Sequence, residues 1–143
     1  MSVESNQLYL VRNQAEEKQK QLVKHFEQAM NFVQNERNQL DQIQGYEQDY
    51  LIKIKNEESQ WRAETTQRYR QFCHQLAGNI IGQKSKLADA EIKLEQMRKY
   101  LSDQQQRVNV LNDLIVRGEK ERAKIQDIIE QKEMDEFSCR KYR

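Results

Sequence analysis

IIGQKSKLADAEIKLEQMRKYLSDQQQRVNVLNDLI, residues 80–115, decides the fold. Ile80, Leu87, Leu94, Leu101, Val108 and Ile115 recur every seven residues. Ala90, Met97 and Leu111 stand three residues after Leu87, Leu94 and Val108. The residues between them are mostly Lys, Glu, Asp, Gln and Arg. A 3-4 alternation on a polar background puts one narrow apolar stripe along a helix. Held over about five heptads, it predicts a coiled-coil seam. A stripe left in water along its length is unfavourable, so the seam needs a partner.

Composition agrees with a thin helical assembly. The chain has 143 residues, no proline and four glycines; 33% of it is charged and 36% hydrophobic. That is enough for one domain, 1–143, but not for a thick globular core. A disordered chain is the compositional rival, and the seven-residue order argues against it. The formal net charge of +1 gives no global field toward nucleic acid or anionic lipid. No apolar run approaches the length of a membrane span. The N-terminal MSVESNQLYLVRNQAEE lacks the basic and apolar regions of a signal peptide. Cys73 and Cys139 are neither closely spaced nor part of a disulfide framework. Together these features predict a cytoplasmic protein with free thiols.

The organisation expected is a first helix over about 5–55, a turn over about 56–60 and a second helix over about 61–137. On the first helix, Leu8, Ala15, Leu22, Ala29, Glu36, Ile43 and Tyr50 form one series of sevens. Phe26, Val33, Leu40 and Ile54 form a second row, thickened by Met30 and Phe32. Gly45 costs this helix roughly 1 kcal/mol relative to Ala. The break falls at Asn56-Glu57-Glu58-Ser59-Gln60, where Asn56 and Ser59 are candidate N-caps. Trp61, Tyr69, Phe72, Leu76 and Ile80 lead into the regular seam. Gly78, Gly82 and Gly118 mark close backbone approach or local softness. A short break between complementary helices predicts an antiparallel two-helix coiled-coil hairpin, the alternative being a single uninterrupted helix that dimerises in parallel. With the turn centred near residue 58, facing residues have numbers adding to about 116. Leu8 then faces Val108, Leu22 faces Leu94, Ile43 faces Cys73, and helix 1 runs out near residue 112. The rest of helix 2 overhangs.

Ile125, Ile128, Ile129, Met134 and Phe137 give that overhang an apolar side, and Arg140, Lys141 and Arg143 end it. It is either a frayed end or a half-seam open to another protein. The second reading is preferred, because single exposed apolar residues are normal and an aligned stripe is not.

No catalytic set is present. His25 and His74 lie on different helices at different levels, and Cys73 and His74 point to different sides of one helix. A two-helix hairpin offers no cavity for a Ser-His-Asp or Cys-His site. Metal ligands, a Gly-rich phosphate loop, a cofactor and a small-molecule ligand are likewise not expected. Two stripes are more informative. Gln39, Ile43, Tyr46 and Tyr50 are spaced 4, 3 and 4 on helix 1, and Phe72, Leu76, Asn79 and Gln83 repeat that spacing on helix 2. Each set shares a helix face, and the pairing brings both to one level. They are ordinary seam with Tyr at its wet edge, or a protein-docking patch built from aromatic and amide side chains.

Gln39-Leu40 with Tyr46 and Tyr50, then Trp61, then Tyr69-Arg70-Gln71-Phe72 with Leu76, and finally Lys132-Glu133-Met134-Asp135-Glu136-Phe137 resemble the FliJ family. These are small coiled-coil proteins of the bacterial flagellar type III export apparatus. The resemblance covers nearly the whole chain. It implies a non-enzymatic stalk-like hairpin, similar to the rotor stalk of rotary ATPases. Such a stalk engages the hexameric flagellar export ATPase, docks on the cytoplasmic domain of the export gate and helps recycle export chaperones. It also implies a cytoplasmic protein, peripherally associated with the cell membrane at the flagellar base. The family's gate-docking surface falls on Gln39, Ile43, Tyr46, Tyr50, Phe72 and Leu76. Asn79 and Gln83 complete that surface where some members carry Ala and His. The overhang residues Ile125, Ile128, Ile129, Met134, Asp135, Glu136 and Phe137 are expected to meet the ATPase or another partner. Glu133 stands where the family has a second basic residue. The free chain is expected to be a monomer without affinity for nucleic acid. The rival expectation is a homo-oligomeric structural tether.

Overall fold

The computed structural model describes residues 3–141. Two α-helices make an antiparallel hairpin: α1 spans Val3–Glu57 and α2 spans Ala63–Lys141. Glu58–Gln60 form a 3-10 turn between them, and only Trp61 and Arg62 among the described residues are non-helical. Without proline, and rich in Gln, Glu, Lys, Arg and Leu, the chain has nothing that stops a helix for tens of residues. Glu4 and Glu64 stand in the first turns, and Lys55, Arg140 and Lys141 in the last, each complementing the helix dipole. Arg143 lies outside the described residues. Gly45, Gly78 and Gly82 interrupt nothing and approach nothing: a Cβ at any of them would meet no atom within 4 Å.

The hairpin comprises two compact units. One joins α1 up to Gln21 with α2 from Leu101 onward; the other is Leu22–Tyr100. In both, burial follows the 3-4 rule. Ala15, Val33, Leu40 and Ile54 are buried on α1, and Cys73, Leu76, Ile80, Ala90, Val108 and Ile115 on α2. Phe72 is therefore not a seam residue; the seam passes through Cys73, one position on. Met30 and Phe32 stay exposed and do not thicken the seam of α1.

Two buried amides fix the register. In the unit Leu22–Tyr100, Gln83 Nε2 donates to the Glu36 carbonyl oxygen at 3.0 Å and also to the Glu36 carboxylate. In the other unit, Gln104 Nε2 donates to the Ala15 carbonyl oxygen at 2.9 Å. The numbers in each pair add to 119, not 116, so facing residues lie about one turn further along α2 than expected. The turn explains the shift. Asn56 ends up inside α1 and Ser59 inside the 3-10 turn, so neither caps α2. Trp61 instead takes an extended backbone, φ −96° and ψ 154°, its N–H donating to the Glu58 carbonyl oxygen at 3.2 Å. Its indole stacks on Tyr69, centroids 4.4 Å apart and planes at 16°. Arg70 pairs with Glu58 and ties α2 back to the turn. These contacts delay α2 until Ala63.

The overhang begins correspondingly later. Tyr9 donates a hydrogen bond to Glu119, and Arg122 donates one to Ser5. From Ala123 to Lys141 every residue is exposed. The unpaired stretch thus starts at about residue 123, a decade beyond the expected 112.

Candidate functional site

The two aromatic-amide stripes lie within Leu22–Tyr100, and the heptad positions sort their members. Ile43, Tyr50, Leu76 and Gln83 occupy the seam; Leu76 and Gln83 are buried, Ile43 and Tyr50 half-buried. Gln39, Tyr46, Phe72 and Asn79 flank it and are exposed. The side chains open to a partner are therefore the flanking four plus the outer parts of Ile43 and Tyr50. Leu76 and Gln83 act from beneath, as the floor that holds the others.

Tyr50 is the centre of the arrangement. Its ring meets Phe72 edge-on, with centroids 4.8 Å apart and an interplanar angle of 67°, and lies 6.0 Å from Tyr69. Edge-on and stacked pairs of this kind stabilise by about 0.5–1.5 kcal/mol beyond area burial. Tyr69 in turn stacks on Trp61, and the Lys53 ammonium sits 5.5 Å from the Tyr69 centroid. Gln42 donates to the Tyr46 hydroxyl at 3.3 Å. Tyr50, Arg68, Tyr69 and Phe72 line a shallow cleft. Phe72 thus lies against Tyr50; the corrected register brings it opposite residue 47, one turn from Tyr50, rather than opposite residue 44. Sequence reading missed the parts played by Lys53 and Arg68. The signal available was the density of aromatics on both sides of the break, with a cation one turn beyond Tyr50.

Cys73, directly behind Phe72, is buried, and burial pushes its thiol above the usual range, with the Glu47 carboxylate adding to the effect. Cys139 is an exposed free thiol. No group of three or more His, Cys, Asp or Glu among the described residues is arranged to hold a metal ion. Among them, no helix is long and apolar enough to cross a membrane.

The second candidate surface is the overhang. Ile125, Ile128, Ile129, Met134 and Phe137 are between 44% and 71% exposed, an apolar stripe that no described residue covers. Asp135 and Glu136 are exposed beside it. Met134 and Phe137, with Glu130, Glu133 and Ser138, border a shallow depression. An acidic rim around an apolar strip suits a protein surface rather than a small molecule.

Neither a curated protein nor a solved structure matches the chain. A family model does: the one described as Flagellar FliJ protein matches residues 4–143, essentially the whole chain. A helical hairpin with an aromatic patch and an unpaired helix end is what the sequence of that family encodes in this member, and the chain belongs to the FliJ family of flagellar, export-related proteins.

Proposed function

We propose that this protein is a non-enzymatic coupler within the flagellar export apparatus, engaging the hexameric export ATPase through its overhang and the cytoplasmic domain of the export gate through its aromatic patch. The observation that carries this reading is what remains after the seam has closed. Tyr46, Tyr50 and Phe72 stay accessible at one surface, and Ile125 to Phe137 stay uncovered at another. Two separate apolar surfaces suit a part that joins other parts. Aromatic anchors over a fixed floor suit the gate, because rigid Tyr and Phe lose little entropy on docking. Recycling of export chaperones is a further role of the same export assignment.

The test separates the two surfaces. Tyr50→Ala or Phe72→Ala is expected to weaken binding to the gate domain about tenfold or more, the usual cost of losing an aromatic anchor. Circular dichroism should show helicity retained. Deleting residues 123–143 should abolish stimulation of the ATPase and leave gate affinity unchanged. Unaltered calorimetric affinity in the two aromatic variants would remove the patch from the gate. A concentration-dependent doubling of mass, indifferent to the ATPase, would favour a homo-oligomeric tether instead.

A further inference from the structure

Within the unit Leu22–Tyr100 the seam has two edges, and they are built differently. Along one, Arg37 pairs with Glu91 at 3.2 Å, and the Arg98 guanidinium lies 5.9 Å from the Phe26 centroid. Cations and a carboxylate share this edge, and the helices clasp one another across it. Along the other edge, between residues 22 and 32 of α1, no hydrogen bond or ion pair crosses to α2. A groove lies there instead.

The floor of the groove is Leu22, Ala29, Ala90 and Met97, and its two alanines keep it low. Its walls are His25 and Phe32 on α1, with Lys93 and Tyr100 on α2. Phe32 is 55% exposed and Tyr100 61%, a large aromatic area to leave in water. Both wall pairs are seven residues apart, so the walls repeat every two turns. A helix laid along the groove would meet that repeat with its own apolar residues, as a third strand of a coiled coil.

Charge identifies the occupant. From His25 to Tyr46 and from Phe72 to Tyr100, the flanking row on this edge contains Lys86 and Lys93 and no carboxylate. Neither lysine has a carboxylate partner. The row just outside the groove offers the amides of Gln28 and Gln96. A basic guest would find no counter-charge in these walls; an acidic one would find the Lys93 ammonium, with Lys86 seven residues before it on the same row. We propose that this groove seats an amphipathic α-helix of another protein, apolar toward the Ala29–Ala90 floor and bearing Glu or Asp along its flanks. The lining of this groove shares no residue with those assigned to the gate, though both lie along one edge of the seam, and the site stands without that assignment.

The probe is a pair of labelled 21-residue designed helical peptides with identical apolar faces, one flanked by Glu and the other by Lys. They are titrated into the full-length protein at low salt and followed by fluorescence anisotropy. The acidic peptide is expected to bind at least about tenfold tighter than the basic one, because like charges oppose the latter. Phe32→Ala should weaken the acidic peptide about tenfold, as loss of an aromatic anchor does. Lys93→Glu should erase the preference for it, whereas Met30→Ala, on the clasped edge, should leave it unchanged. Circular dichroism checks that each variant stays helical. Equal binding of the two peptides, no binding of either, or indifference to Phe32→Ala would overturn the proposal. A doubling of mass by light scattering that Phe32→Ala abolishes would overturn it in favour of a second copy of this chain. Binding to anionic vesicles with no peptide binding would overturn it in favour of a membrane surface.

Discussion

Residues 101–122 of α2 bury Gln104, Val108 and Ile115, whereas residues 123–141 of the same helix bury nothing. The two stretches are similar in length and in polarity. Both carry isoleucine at seam spacing: Ile115 in the first, Ile125 and Ile129 in the second. What differs is the chain alongside. α1 accompanies the first as far as Ser5, which Arg122 reaches, and no described residue accompanies the second. A heptad pattern therefore reports that a stripe exists; only the length of the opposing helix decides whether that stripe is a core or a surface.

The sharpest way to break this comparison is to place a charge on each side of it. Val108→Asp would strand a carboxylate in the seam and is expected to cost more than about 3 kcal/mol in urea denaturation. Ile128→Asp should change stability by less than about 0.5 kcal/mol, as exposed substitutions do. A large, concentration-dependent loss in the second variant would mean that the overhang is covered by another chain in solution.

A smaller effect sharpens the inner side. Gln104→Ala removes a buried amide bonded to the Ala15 carbonyl and should cost about 1–2 kcal/mol. Gln104→Leu keeps the volume without the bond and should be close to neutral, since replacing a buried polar group by an apolar one of similar shape often is. Smaller still, Gly78→Ala and Gly82→Ala should each raise stability by about 0.5–1 kcal/mol through helix propensity alone, as open space surrounds both positions. At the chemical level, Cys139 should alkylate at least about tenfold faster than Cys73 near neutral pH. Cys73 is both buried and held protonated, and the ratio should vanish in denaturant.

The fold was largely legible. Leu87, Leu94, Leu101 and Val108 pointed to the seam of α2, and Leu8, Ala15, Leu22 and Ala29 to that of α1, because burial in a two-helix assembly depends on spacing alone. The register was not, because it depends on where α2 starts. That is decided by Trp61 stacking on Tyr69 and Arg70 pairing with Glu58, contacts that appear only once the turn has formed. The acidic run after Asn56 looked like a helix start and proved to be a helix end. Phe72 stands on the flank because the seven-residue spacing back from Ile80 passes through Cys73. Of the candidate patch, spacing alone brought Tyr46, Tyr50 and Phe72 to one region. It could not tell that Leu76 and Gln83 sit beneath them, since a 4-3-4 stripe straddles seam and edge alike. The groove beside Phe32 escaped notice because Phe32 read as extra core.

Gln83 and Gln104 stand 21 residues apart on α2, and their acceptors Glu36 and Ala15 stand 21 apart on α1. The commonest error open to a heptad repeat is a slip of seven, which restores every apolar match. Here such a slip would bring Gln104 against Leu8 or Leu22, and Gln83 against Ala29 or Ile43. The leucines would block the amide from the backbone that Ala15 leaves open. Gln104 thus gives its unit a detent against sliding in either direction, and Gln83 gives the other unit one toward Ile43. When one helix is pulled lengthwise past the other, the first available step, about 10 Å for seven residues, is the one these amides penalise. A load applied to a single helix should therefore pass into both.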